Sequence, residues 1–216
     1  MTTTINRHLD AATLMSFAAG SLGEALSAAA AAHAAICPAC RHEIRAMERL
    51  GAALLGQESG DAIGMPPRPV DPESVALAPA GSVRTLDPGS LPYPIAQQYG
   101  LSLENIPWKR LGPGVWHHRL ALSPGAEGDL RLLKVAAGRR MPEHGHGGTE
   151  LTLVLDGAFA DATGHYCCGD IQDVDEDTEH RPVADATTGC ICLVASERPA
   201  RFTGLISRLV QPLTGM

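Results

Sequence analysis

Two groups of histidine, cysteine and glutamate residues are spaced as metal ligands are. The first is His33-x3-Cys37-x2-Cys40, with His8 upstream. Two thiols and two imidazoles form the donor set that zinc takes in tetrahedral structural sites. The second is His144-x-His146-x3-Glu150, followed further along by His180. Three imidazoles and a carboxylate suit zinc, iron, manganese or nickel, and donor type alone does not choose among them. Each group has a plainer reading. A Cys-x2-Cys pair also occurs in thioredoxin-type redox sites, although no strand precedes this one, and His33 can simply cap a helix beside free cysteines. The second group can be the residue of a site that has lost its metal.

The elements that must position these residues differ between the two halves. Residues 9–56 read as helices. Asp10 is an N-cap, Leu14, Phe17 and Ala18 follow at helical spacing, and Gly20 is a stop. A second, alanine-rich helix runs from about Gly23 to Ile36. A third starts at Pro38, a residue favoured at the first helical position. Along it Cys40, Ile44, Met47, Gly51 and Leu54 make one face. His33 then ends one helix, Cys37 sits in the turn and Cys40 opens the next, so three donors converge and His8 can supply the fourth. The helix N-terminus also favours a thiolate at Cys37.

From Gly56 to Pro94 eight prolines break any long element, leaving a linker with a short helix around Glu73–Leu77. That composition predicts a semi-rigid tether between two separate cores. Beyond Trp108, strand-like runs follow at Val115–Leu122, Leu130–Ala136, Glu150–Leu155, Ile171–Val174 and Cys190–Ala195, which predicts an antiparallel sandwich or barrel. On a strand His144 and His146 share a face, and Glu150 returns to it after the Gly147-Gly148 turn. Cys190 and Cys192 would also share a face. With Cys167 and Cys168, in a turn, they read as inert thiols. His42, His117, His118 and His165 read as surface or core residues.

The formal net charge is −7, which argues against a nucleic-acid partner held through phosphates. One segment accounts for the imbalance, because residues 161–185 hold eight acids and one arginine. The acids from Asp173 to Glu179 read as a solvated loop. Met1–Asp10 has no apolar signal region, and the stretch Ala25–Ile36 is too short to span a bilayer and contains His33. The expectation is a soluble cytoplasmic protein, in which six cysteines are reduced thiols, metal ligands or redox sensors rather than a disulfide frame.

The run Leu14-Met-Ser-Phe-Ala-Ala-Gly-Ser-Leu, with His33-Ala-Ala-Ile-Cys37-Pro-Ala-Cys40-Arg, resembles the zinc-binding anti-sigma domain over residues 5–56. Gly138-x5-His144-x-His146-x3-Glu150-x6-Gly157 matches the first cupin motif in every spacing. The second cupin motif, G-D-x4-P-x-G-x2-H, is kept at Gly169, Asp170 and His180, with Asp175 and Asp177 in place of its Pro and Gly. In that order the whole chain resembles the ChrR-type anti-sigma factors. The resemblance implies an α+β two-domain protein, a small helical zinc bundle with its Pro-rich linker over 1–90 and an antiparallel cupin β-barrel over 91–216. It implies that His8, His33, Cys37 and Cys40 bind zinc, and that His144, His146, Glu150 and His180 bind zinc or another divalent transition metal. The expected partner is an extracytoplasmic-function sigma factor, bound 1:1 and released when the cupin senses oxidative stress such as singlet oxygen. No enzyme activity, direct nucleic-acid contact or membrane is expected. Two alternatives stay open. One is a cupin metalloenzyme of dioxygenase or isomerase type with an accessory zinc domain, and the other is a thiol switch at Cys37 and Cys40.

Overall fold

Three helices lead the chain: α1 over Ala11–Ala18, α2 over Glu24–Ile36 and α3 over Pro38–Glu58. The structure, a computed structural model, describes residues 4–58, 90–198 and 201–202, so the short helix expected around Glu73–Leu77 lies outside the described residues. Asp10 caps α1, its side chain accepting from the Thr13 N–H at 2.6 Å. Cys37 alone separates α2 from α3. Its extended backbone turns the chain, and Pro38 starts α3, where a missing N–H costs no hydrogen bond. Ala25, Ala29, Ala30 and Ala32 of α2 are buried, and these small side chains let its neighbours approach closely. On α3 Cys40 and Ile44 are buried and Met47 packs beside them, whereas Leu54 is 55% exposed, so the expected face is covered only in its first half. Helix α4, Tyr93–Tyr99, begins at the end of the Pro-rich stretch and runs beyond it, where no element was expected. Pro92 and Pro94 start it rather than break it, and Gly100 in the left-handed region ends it. Among the described residues no helix is long and apolar enough to cross a membrane.

Ten strands follow among the described residues: β1 Lys109–Gly112, β2 Val115–Arg119, β3 Asp129–Val135, β4 His144–Gly145, β5 Glu150–Asp161, β6 Gly164–Cys167, β7 Ile171–Val174, β8 Val183–Ala184, β9 Cys190–Ser196 and β10 Arg201–Phe202. All pairings are antiparallel, in the order β1-β2-β3-β9-β5-β6, with β7 and β8 also on β5 and a separate β4–β10 ribbon. The expected barrel is therefore an unclosed sheet that folds over on itself. β5 makes the fold. Its first half pairs with β7 and β9 and its second half with β6 and β8, with an irregularity between Val154 and Asp156 and a bend at Gly157, whose φ is 69°.

The two faces of this sheet do different things. Leu130 and Leu132 of β3, Leu151 and Leu153 of β5, and Leu193 and Ala195 of β9 join one core with Leu26, Ala29, Ala30 and Ile36 of α2. The alternate residues, among them Val135, Val154, Cys190 and Cys192, form a second core on the other face. At the start of α2, Glu24 Oε1 also accepts from the backbone N–H of Ser123 at 2.9 Å. The expected tether between separate cores is thus replaced by direct packing of α2 on the sheet. The run Leu151–Leu155 is buried on both sides, and its outer leucines need the helices to cover them.

Candidate metal centres

His8, His33, Cys37 and Cys40 come together as expected, each offering one donor atom within 4.8 Å of the others. Cys37 Sγ lies 3.3 Å and Cys40 Sγ 3.7 Å from His8 Nδ1. A tetrahedral zinc with bonds of about 2.3 Å to sulfur and about 2.0 Å to nitrogen would place such pairs about 3.5 Å apart. Cys37 and Cys40 are buried, and His33 is 0% exposed with neither ring nitrogen hydrogen-bonded. A buried imidazole without partners costs about 1–3 kcal/mol, and a metal at this point removes the deficit. The Cys40 thiol stabilises a thiolate at Cys37 against the opposing effect of burial, lowering Cys37 to about 3, while the same interaction drives Cys40 up. Cys37 is thus poised as the thiolate, and a bound cation would supply what Cys40 needs to lose its proton as well.

The second centre gathers His144, His146, Glu150 and His180, again within 4.8 Å. His180 is placed opposite His144 by a backbone bridge, each N–H donating to the other's carbonyl. The tautomers follow from the partners. His144 Nδ1–H donates to Pro142 O at 2.9 Å and His180 Nδ1–H to the Asp161 carboxylate at 2.8 Å. In their neutral forms both Nε2 atoms carry lone pairs, and these face each other at 3.2 Å. His146 Nε2 is also 3.2 Å from His180 Nε2. Such an array repels itself unless a cation sits within it. Burial pushes His144 below its ordinary value, which disfavours a proton there and leaves a metal as the fitting cation. Burial would raise Glu150, but His146, whose Nδ1 is 3.3 Å from its carboxylate, together with His144 and His180 outweighs that and holds it low.

Asp161 was not singled out in the sequence, and it orients the second centre. Burial would raise its carboxyl, but hydrogen bonds from His180, Thr163 and Gln172 hold it well below the usual carboxylate range. Gln172 Nε2 donates to Asp161 Oδ2 at 2.9 Å and to Thr163 Oγ1 at 2.7 Å. A carboxylate behind a metal-facing imidazole fixes its ring and raises its basicity. The signal that could have found Asp161 is its place at the far end of β5, the strand that Glu150 opens.

A cavity of about 90 Å³ adjoins this centre, walled by Leu133, Val135, Met141, Phe159 and Val194. Cys190 and Cys192 share one of its walls, as the strand alternation predicted. Cys190 beside it and full burial push the Cys192 thiol well up, and burial pushes Cys168 up to about 11. His42 and His165 are exposed, His117 and His118 half-buried, and Asp175–Asp177 form a solvent-facing loop.

Residues 96–199 match the family described as the ChrR Cupin-like domain. The chain is 40% identical to the anti-sigma-E factor ChrR of Cereibacter sphaeroides, over 97% of this chain and 98% of that protein. Among solved structures, a chain of the crystal structure of Rhodobacter sphaeroides SigE in complex with the anti-sigma ChrR superposes with a TM-score of 0.69. That match has 37% identity and covers 89% of this chain and 99% of the other. The sheet is therefore of cupin fold, preceded by the helical region of the same relatives. Because the likeness runs through both parts in one order and over nearly the whole length, the chain belongs to the family of ChrR-type anti-sigma factors.

Proposed function

We propose that this chain sequesters an extracytoplasmic-function sigma factor, one to one, in the cytoplasm, and releases it when the cupin responds to oxidative stress such as singlet oxygen. In this reading residues 1–90 form the clamp and its linker, with zinc on His8, His33, Cys37 and Cys40. Residues 91–216 form the sensor, with zinc or another divalent transition metal on His144, His146, Glu150 and His180. The observation that carries the reading is an apolar surface on the helical part. Met15 of α1 is 61% exposed, and Leu50, Leu54 and Leu55 of α3 are 62%, 55% and 75% exposed. Large apolar side chains left exposed on α1 and α3 suit a protein partner. The relative bears the name anti-sigma-E factor, and the similar solved structure is a complex with SigE, which gives that partner its class.

The test is co-expression of the full chain with the extracytoplasmic-function sigma factors of its own genome, each in turn, followed by pull-down. Leu54→Asp with Leu55→Asp should abolish capture while leaving the melting temperature nearly unchanged, since these side chains bury little in the chain itself. Failure of the folded, metal-loaded wild-type chain to capture any of these sigma factors would sink the assignment. The cavity beside the second centre favours a second reading, a metalloenzyme. A reporter driven by the sigma factor separates the two. His144→Ala or Glu150→Ala should still repress but fail to release under singlet oxygen, whereas an unrelated enzyme would leave the response as in wild type. These point variants are cleaner than cupin deletion, which would strip cover from Leu26, Ala29 and Ala30.

A further inference from the structure

Three of the four donors at the N-terminal centre lie on the α2–α3 corner, His33 and Cys40 on the helices and Cys37 in the one-residue turn between them. His8 does not. It sits in the extended segment before α1, and its neighbours are bonded to the cupin sheet. Asp170, 2% exposed just before β7, accepts from the Asn6 N–H at 2.7 Å and the Arg7 N–H at 3.0 Å through one oxygen. Its other oxygen accepts from the Cys167 N–H at 2.9 Å, which fixes the carboxylate in the sheet. The Ile171 N–H donates to Arg7 O at 3.3 Å, so Arg7 is bonded through both its backbone groups. On the far side of His8, the Asp10 N–H donates to Asp173 Oδ2 at 3.0 Å. Ile5 packs against Gly169, whose φ of 93° and missing side chain leave room for it. The segment thus runs along β7 as a strap, and His8 is clamped from both sides by the cupin part.

We propose that Asp170 is a positioning residue for His8, so that the cupin part holds one donor of the N-terminal metal centre in place. This rests on the reading that His8, His33, Cys37 and Cys40 hold a metal. Without the Asp170 anchor the segment loses the hydrogen bonds from the Asn6 and Arg7 N–H groups and His8 gains freedom, while the three corner donors stay where they are. Cys37, Cys40 and His33 would then still hold a metal, and His8 would hold it less firmly. The strap also gives the cupin a direct hold on the metal centre of the clamp.

The test uses the full-length chain loaded with cobalt(II). Thiolate-to-cobalt charge-transfer bands report the N-terminal centre alone, because the donor set of the cupin centre contains no thiolate. The rate at which EDTA removes that band is measured for wild type, Asp170→Ala, Asp170→Asn and Asp173→Ala, with cupin metal content as the control for folding. The loss of one hydrogen bond to a charged group corresponds to about tenfold in an equilibrium, so Asp170→Ala should release cobalt about tenfold faster, with the d–d bands shifted by a changed fourth donor. Asp170→Asn, which keeps one acceptor oxygen, should fall between, and Asp173→Ala should move in the same direction. Wild-type release and an unshifted spectrum in folded Asp170→Ala would overturn the proposal. If that variant does not fold, the same result in Asp173→Ala overturns it. Absence of the thiolate band in the wild-type chain would instead refute the metal reading itself, and the proposal with it.

Discussion

Replacing Asp161 by alanine tests the second centre at a residue outside its donor set. The carboxylate accepts from His180 Nδ1 at 2.8 Å, and both side chains are almost wholly enclosed, at 0% and 2% exposure. A hydrogen bond to a charged group contributes about 1.5–3 kcal/mol, which at about 1.4 kcal/mol per tenfold corresponds to roughly 10- to 150-fold in metal affinity. Measured outer-partner effects of about 10- to 100-fold agree with that range. Asp161→Ala should therefore weaken cupin-metal binding by one to two orders of magnitude. Asp161→Asn, which keeps shape and one acceptor, should sit near the lower end. Asp161 also accepts from Thr163 and Gln172, so the alanine variant leaves donors unpaired and loses some stability as well. Chelator competition fitted for two sites, beside the melting temperature of the metal-free chain, separates the two effects. Wild-type affinity at the cupin site in folded Asp161→Ala would refute the argument that this carboxylate holds His180 in its metal-facing tautomer.

Three further outcomes are expected. His33→Ala should remove the N-terminal metal equivalent and, because a ligand present at a thousandfold excess over its dissociation constant stabilises by about 4 kcal/mol, lower the melting temperature of the metal-loaded chain by about 10 °C; metal analysis and calorimetry check both. Leu151→Ala, at a position with 0% exposure in the core shared by α2 and the sheet, should cost about 2–5 kcal/mol and shift a single unfolding transition common to both parts. Two resolved transitions in the wild-type chain would contradict the shared core. Metal-free protein should lose stability on acidification. His144 is held below its ordinary 6.5, so the unfolded chain binds the extra proton first and stability falls as pH drops below that value. Glu150 and Asp161, also held low, deepen the fall below their ordinary 4.5 and 3.8, and a melting temperature that rises between pH 7 and pH 4 would contradict this.

Most of the candidate donors were legible because their geometry is short-range. His33, Cys37 and Cys40 depend only on a helix ending and another starting around Pro38, and His144 and His146 only on strand alternation. His8 and His180 required the motif patterns, since nothing local relates them to their partners. Asp161, Gln172 and Asp170 act through contacts across the sheet that no local spacing encodes. Helix α4 was missed because Pro92 and Pro94 read as breakers, although the first turn of a helix is where proline belongs. The tether was a different kind of error. Proline content describes the linker, not whether the parts it joins touch. The contrary signal was present in Leu151–Leu155 and Cys190–Ala195, runs too continuously apolar for strands with one solvated face.

That continuity bears on how a clamp and a sensor communicate. Along β5, Glu150 and Thr152 border the second centre and its cavity, while Leu151 and Leu153 lie in the core with α2. One strand thickness separates the two environments, and consecutive residues belong to opposite ones. Helix α2 carries the contact onward, since its buried face includes Leu26, Ala29 and His33 and runs to Ile36, with Cys37 as its C-cap. Packed interiors are dense and transmit displacement rather than absorb it. On the function proposed above, a change of metal state at Glu150 that shifts β5 must be met by repacking of Leu151 and Leu153 against α2. The Pro-rich linker is then not the conductor of the signal, and its length can vary without breaking the coupling. The conductor is the sheet, whose inner face holds the candidate sensor site and whose outer face carries the floor on which the clamp rests.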